Sequence, residues 1–352
     1  MNRARPSAAM GRWILVLAVA GSVRAGFQQG PTDIAGEGMG GASTARAGGA
    51  AALFINPAGP ALLPRAEAAF AYGSLYAGLP GVSNTQGTLA VACPLRARWT
   101  LAGGASNFDA DGLLQEQEVL VGGSYRATPI FSVGANLAYL RHSYDTGQDP
   151  AAQADPTFSA GTSKGAMGVD AGALATLPRL SLGVSGRHLN MPDVGISERD
   201  PVPMELRAGA AGNVSKTVLV AADILWRNAG NVADGRRTTW GGGVEWRAAP
   251  ILALRAGLGT GKVTAGVGFK IKDYGVDYAF GLVTSFGDNA GTHRLAFNYR
   301  FGPMRTVPAA AAGLETVPPG AGAPEGKTGS AGAAAGRMEP APRTQTAPLE
   351  KP

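Results

Sequence analysis

Between residues 293 and 301 the chain reads HRLAFNYRF, and His293, Leu295, Phe297, Tyr299 and Phe301 alternate with Arg294, Ala296, Asn298 and Arg300. In an extended strand successive side chains point to opposite faces, so this segment has one apolar face and one charged face. The pattern recurs upstream. Val218, Val220, Ala222, Ile224 and Trp226 stand opposite Leu219, Ala221, Asp223, Leu225 and Arg227, while Trp240, Val244 and Trp246 face away from Glu245 and Arg247. Segments of this kind are predicted at 66–77, 86–95, 98–107, 117–127, 131–144, 165–177, 180–189, 204–212, 217–227, 238–247, 251–259, 262–271, 274–286 and 291–301. Their lengths are close to the about 9–11 residues that a tilted strand needs to cross a bilayer.

An apolar strand face suits either a sandwich core or a lipid surface, and the connections choose between them. Those after even-numbered strands are short, such as TP, PR, AAP and KD, whereas several after odd-numbered strands are long, as at 145–163 and 190–203. Tight turns at one end and long loops at the other are the asymmetry of an outer-membrane barrel with both termini in the periplasm. The predicted fold is therefore all-β, a transmembrane antiparallel barrel of about fourteen strands. Closure removes strand edges, and lipid accounts for apolar positions that no second sheet covers.

Composition agrees with this. Among 352 residues there are 53 glycines, and only 16% are charged. No run of about 18 apolar residues exists that would cross a membrane as a helix. Residues 1–25 read as an export signal: Arg3, Arg5 and Arg12 precede the apolar run 13–21, and Val23-Arg24-Ala25 offers small residues at the positions a signal peptidase reads. The net charge of +6 falls to +2 once the four arginines of the signal are removed, which gives no case for nucleic acid. Residues 26–64 are Gly/Ala-rich, 65–302 form the barrel, and 303–352 are a Pro/Ala/Gly-rich tail. That tail is too poor in large apolar residues to bury a core and is expected to be disordered in the periplasm.

Candidate chemistry is sparse. Cys93 is the one cysteine, so no intrachain disulfide is available, and its place before Pro94 suggests a small buried residue. His142, His188 and His293 fall on separate strands, with His188 and His293 expected to face outward. His142 and Ser143 are neighbours on one strand and point to opposite faces, which excludes a hydrolase pair. No metal-ligand spacing, phosphate loop or nucleotide fingerprint is present, so neither enzyme activity nor a cofactor or metal is expected. The alternation turns Glu205, Arg207, Asp223, Glu245, Arg255, Lys270, Asp277, Arg294 and Arg300 toward the lumen. Charges of both signs there are expected to cross-pair. They serve either as a ladder that fixes register and holds a plug or as a row that binds a permeant.

The segment GMGGASTARAGGAAALFINPAG at 38–59 resembles the N-terminal signature of FadL-type and PorV/PorQ-type outer-membrane barrels, in which a Met-Gly-Gly-Ala start leads to an Asn-Pro-Ala-Gly motif, here Asn56, Pro57, Ala58 and Gly59. Farther on, LPRLSLGVSGRHLNMPDVG, VPMELRAGAAG, LVAADILWR and GTHRLAFNYRFG resemble, in order, the PorV-like group more than FadL. The resemblance spans residues 35–302. It implies an N-terminal hatch in the lumen, with Asn56–Gly59 acting as a rigid turn at the entry to the first strand or as part of a mobile gate. The series Leu295, Phe297, Tyr299 and Phe301 resembles the terminal strand by which barrel assembly machinery takes up its clients. Two functions are implied: an accessory secretion barrel that binds an exported protein or a partner barrel, or a FadL-like passive transporter of a hydrophobic small molecule such as a long-chain fatty acid.

Overall fold

The computed structural model describes residues 26–305, apart from 28, 47, 80, 82, 96–97, 148–149, 229–237 and 285–289. The expected signal, residues 1–25, and the tail beyond residue 305 lie outside the described residues. Alternating segments become strands: β1 (Ala66–Ala77), β2 (Asn84–Pro94), β3 (Trp99–Ala110), β4 (Leu114–Arg126), β5 (Phe131–Tyr144), β6 (Ser163–Thr176) and β7 (Leu180–Arg187). The second half comprises β8 (Met204–Asn213), β9 (Val218–Asn228), β10 (Thr238–Ala249), β11 (Leu252–Gly259), β12 (Lys262–Ile271), β13 (Tyr274–Val283) and β14 (Gly291–Phe301). Each pairs antiparallel with its neighbours in sequence, and β1 pairs with β14 from Ala66↔Phe301 onward. The sheet is a closed fourteen-stranded barrel with no free edge. No helix among the described residues is long and apolar enough to cross a membrane.

The outer face is apolar around the wall. Leu89, Val91, Leu101, Val119, Val121, Leu137, Val184, Ile224, Leu254 and Phe297 are all exposed outward. Near the short turns Trp99 packs on Tyr125, and Tyr274 stacks on Tyr299 with ring centroids 4.9 Å apart, the aromatic belt expected where a barrel meets the headgroups. Cys93 also turns outward and is half-buried, which corrects the expectation of a buried thiol: Ala92, next to it, takes the inward position.

Strand β7 ends early and explains a second departure. His188 has φ 52, a left-handed backbone that breaks the alternation and turns its ring inward, where it is 1% exposed instead of facing out. Asn190 then stands in for the missing strand, accepting from Val169 N–H at 3.0 Å and donating to Met167 C=O at 2.7 Å. His293 does face outward and lies 2.7 Å from the Tyr278 hydroxyl through Nδ1.

The inward faces of β1–β5 carry alanines at 69, 90, 92, 102 and 138, small enough to leave room inside the wall. Leu53 and Phe54 of the N-terminal segment fill that room. This segment forms a short helix α1 (Ile34–Glu37), whose N-terminus is capped by the Asp33 carboxylate, and two turns of 3-10 helix at Ala50–Phe54 and Gly59–Leu62. Its buried residues contribute to each of four apolar clusters among the described residues.

Candidate functional site: the occupied lumen

A segment with few large side chains is held through its backbone, so the wall must come close. At Gly257 an added Cβ would lie 2.2 Å from Gly40 N and 2.3 Å from Met39 C, and at Gly243 it would lie 2.6 Å from Met39 Cα. Only glycine admits such an approach. Gly40 itself has φ 77 and donates its N–H to Thr264 Oγ1 at 2.8 Å. The Asn-Pro-Ala-Gly motif meets the opposite wall in the same way, with Pro57 C=O against Gly134 of β5 and Asn56 Oδ1 against Gly172 of β6. Asn56 donates to Thr44 C=O and Ala173 C=O at 3.0 and 3.2 Å, and its Oδ1 accepts from Ala58 N–H. The motif therefore packs against β5 and β6.

Polar side chains complete the attachment. The Asp223 carboxylate accepts from Ser43 N–H, Thr44 N–H and Thr44 Oγ1 at 2.7–2.8 Å. Glu67 accepts from Ala50 N–H at 2.8 Å, Asn136 donates to Leu53 C=O at 2.9 Å, and Ser185 donates to Ile55 C=O at 2.7 Å. Lys262 pairs with Glu37 at 2.6 Å. Burial alone would raise the Glu37 carboxyl, but the Lys262 and Arg294 charges outweigh it and hold the group at about 2.

The inward charges form clusters of mixed sign. In one, Glu205 accepts from Arg227 at 2.6 Å and Arg207 at 3.2 Å, with Arg187 at 3.9 Å; Arg187 in turn reaches both Glu118 oxygens at 2.7 and 2.8 Å. In the other, Arg255 bridges Glu245 at 2.8 Å and Asp277 at 2.6 Å, and Arg46 of the segment approaches Glu245 at 3.6 Å. Arg300 pairs with Glu67 at 2.7 Å across β14 and β1. Arg294 donates to Gln86 Oε1 and Thr32 Oγ1 at 2.7 and 2.9 Å. Lys270 shares the parity of the buried Thr264 and Gly268 on β12 and stands opposite Gly275 in register. The wall charges that the sequence pattern had not marked include Glu67, Glu116, Glu118, Arg126, Asp170, Arg187, Arg227 and Lys262. The same alternation, applied to β4 and β7 as it was to β8–β14, finds Glu116, Glu118, Arg126 and Arg187.

Small cavities among the described residues include one beside Pro31, Phe108 and Glu118 and one beside Ile34, Phe54 and Ala90. Neither is an apolar slot of the size a hydrophobic ligand occupies. No group of three His, Cys, Asp or Glu among the described residues is placed to hold a metal ion. Leu295, Phe297 and Tyr299 point outward from β14 beside β1 and β13, and Phe301 ends the strand at Ala66.

Solved structures with a similar fold include the following three. The Ralstonia pickettii toluene transporter TbuX aligns with TM-score 0.57 at 16% identity, covering 78% of this chain and 98% of its own. A Pseudomonas aeruginosa FadL homologue aligns with TM-score 0.55 at 13% identity over 77% and 98%, and the Pseudomonas putida toluene transporter TodX with TM-score 0.54 at 15% over 78% and 98%. At such identities the similarity shows the fold alone. No curated protein matches the chain in sequence. The family profile described as "Type IX secretion system membrane protein PorP/SprF" matches residues 50–299, a span that takes in the Asn56 motif and every inward charge named from the sequence except Arg300. A secretion or transport barrel of the outer membrane is thus reached from the residues, the wall and the family together: the chain belongs to the PorP/SprF family of type IX secretion system membrane proteins.

Proposed function

We propose that this barrel is a PorV-like accessory of protein secretion that binds an exported protein or a partner barrel through its long loops, and does not itself conduct solute. The observation that carries this reading is the lumen. The N-terminal segment is fixed to opposite walls by backbone contact at Gly257 and Gly134 and by the Asp223 and Lys262 bonds, and in this reading it stays there, across the path a permeant would take. The long connections 145–162 and 188–203 gather at one end, the natural place for a macromolecular partner once that end faces outward. In this reading the inward charges are a structural ladder, and Leu295, Phe297, Tyr299 and Phe301 are the strand face read by the barrel assembly machinery.

The competing reading is a FadL-like transporter, in which residues 26–64 are a hatch that moves. It draws support from the fold shared with the toluene transporters and from the cavity beside Ile34 and Phe54. Purified protein in planar bilayers and liposomes separates the two. A silent intact barrel that takes up no long-chain fatty acid, together with crosslinks from loops 145–162 and 188–203 to a secreted protein, is the expected result. Uptake by the intact chain, with conductance rising when residues 26–64 are deleted, would overturn the accessory reading.

A further inference from the structure

At the end of the barrel that bears the long connections, the first described residues enter a buried pocket of acid and imidazole. Gly26 and Phe27 are both buried. Phe27, at φ 60, donates its N–H to Glu116 Oε1 at 2.7 Å. A Cβ added to Gly26 would lie 3.5 Å from Glu116 Oε1 and 3.7 Å from His142 Nδ1, so the first residue sits between these two side chains. They face each other across β4 and β5 and are 7% and 4% exposed.

The pocket is poorly satisfied as it stands. The Phe27 N–H is the one hydrogen-bond donor to Glu116 among the described residues, and His142 Nε2 has no hydrogen-bond partner there. Nearby Arg187 is engaged by Glu118. A buried carboxylate with one neutral donor calls for a cation.

The sequence supplies one at this point. The peptidase-type site Val23-Arg24-Ala25 ends where Gly26 begins. Hydrolysis of the Ala25–Gly26 amide by water leaves Ala25 as a carboxylate, and the Gly26 nitrogen takes up the protons to become an α-ammonium. That group is next in the chain to the N–H already bonded to Glu116. We propose that the mature chain starts at Gly26 and that its α-ammonium is the buried counter-ion of Glu116, with His142 Nδ1 as a second acceptor. Signal removal then completes the packing of the lumen at this end. Before the cut, the same nitrogen is a neutral amide and the carboxylate has no cation. This inference holds whichever of the two functions the barrel performs.

The test is amine labelling of full-length protein exported to the outer membrane and purified folded. N-terminal sequencing should give Gly-Phe-Gln. Reductive dimethylation of the α-amine should run about ten-fold or more slower in the folded barrel than in the denatured chain, because a paired, buried ammonium gives up its proton less readily. Glu116→Gln keeps the side-chain shape and should bring the folded-state rate to that of the denatured chain, with heat-modifiable gel mobility reporting that the barrel is closed. A variant with one alanine inserted before Gly26, cleaved one residue early, should lose protection without touching the wall. A different first residue, equal labelling of folded and denatured wild-type protein, or full protection retained in both variants would each overturn the proposal.

Discussion

Replacing Gly257 with alanine puts a methyl group where the N-terminal segment touches the wall. The new Cβ would lie 2.2 Å from Gly40 N, 2.3 Å from Met39 C and 2.7 Å from Met39 Cα. These are backbone atoms, and each is well inside the about 3.5 Å at which carbon atoms make favourable contact. The segment therefore has to retreat by about 1 Å, an overpacking that costs about 1–3 kcal/mol. The retreat also stretches the 2.8 Å bond from Gly40 N–H to Thr264 Oγ1, worth about 1 kcal/mol more. Anchoring of residues 38–46 should weaken by about 2–4 kcal/mol while the barrel stays closed, since no interstrand hydrogen bond involves the missing Cβ. Gly87→Ala is the control, because its Cβ would meet nothing within 4 Å. In limited proteolysis of the folded barrel, cleavage within residues 26–64 should rise by roughly thirty-fold or more in Gly257→Ala, the factor that 2 kcal/mol gives, and stay at the wild-type rate in Gly87→Ala. Equal cleavage in the two variants would refute the idea that backbone approach at glycine holds the segment.

Arg187→Met leaves Glu118 buried without its guanidinium and should cost about 3–5 kcal/mol; urea unfolding in detergent should show this loss, and Glu118→Leu in the same chain should restore most of it. Asp223→Ala removes the acceptor of three bonds at Ser43 and Thr44, with an expected cost of about 2–4 kcal/mol; hydrogen exchange at those two amides should accelerate while β9 amides keep their protection. Glu37 is held at about 2 against an ordinary 4.5, so the lowered carboxyl stabilises the fold above pH 4.5, and this stability is lost as the pH falls through 2. The contribution is about 3 kcal/mol. Lys262→Met should flatten this acid limb in a pH series of segment proteolysis, and an unchanged limb would show that another group carries it.

The inward charges illustrate how far alternation reaches. Glu205, Arg207, Asp223, Glu245, Arg255, Asp277, Arg294 and Arg300 are read inward from period-two patterning alone, and each bonds to another wall side chain or to the N-terminal segment. Their partners were not legible. Arg46 reaches Glu245 from the segment, and Glu118 meets Arg187 from three strands away, contacts that depend on barrel curvature and on how deeply the segment sits. His188 failed the same rule because its own left-handed backbone breaks the alternation just past the end of β7, and nothing in its side chain announces that.

The sequence by itself determined the strands, their closure into one wall and which face meets lipid, because these follow from a local period and from the need to pair every backbone group in a bilayer. It also marked the Gly/Ala segment as one that cannot make its own core. Only the tertiary structure decided where that segment lies: Asn56 and Pro57 against Gly134 and Gly172, Gly40 against Gly257, and Asp223 beneath Ser43 and Thr44. These contacts join residues more than 75 positions apart, and a glycine carries no pattern that names its partner. The segment and the wall meet because fourteen strands set the distance between those glycines and small residues let the backbones approach, a fit between two surfaces that exists only once both are formed.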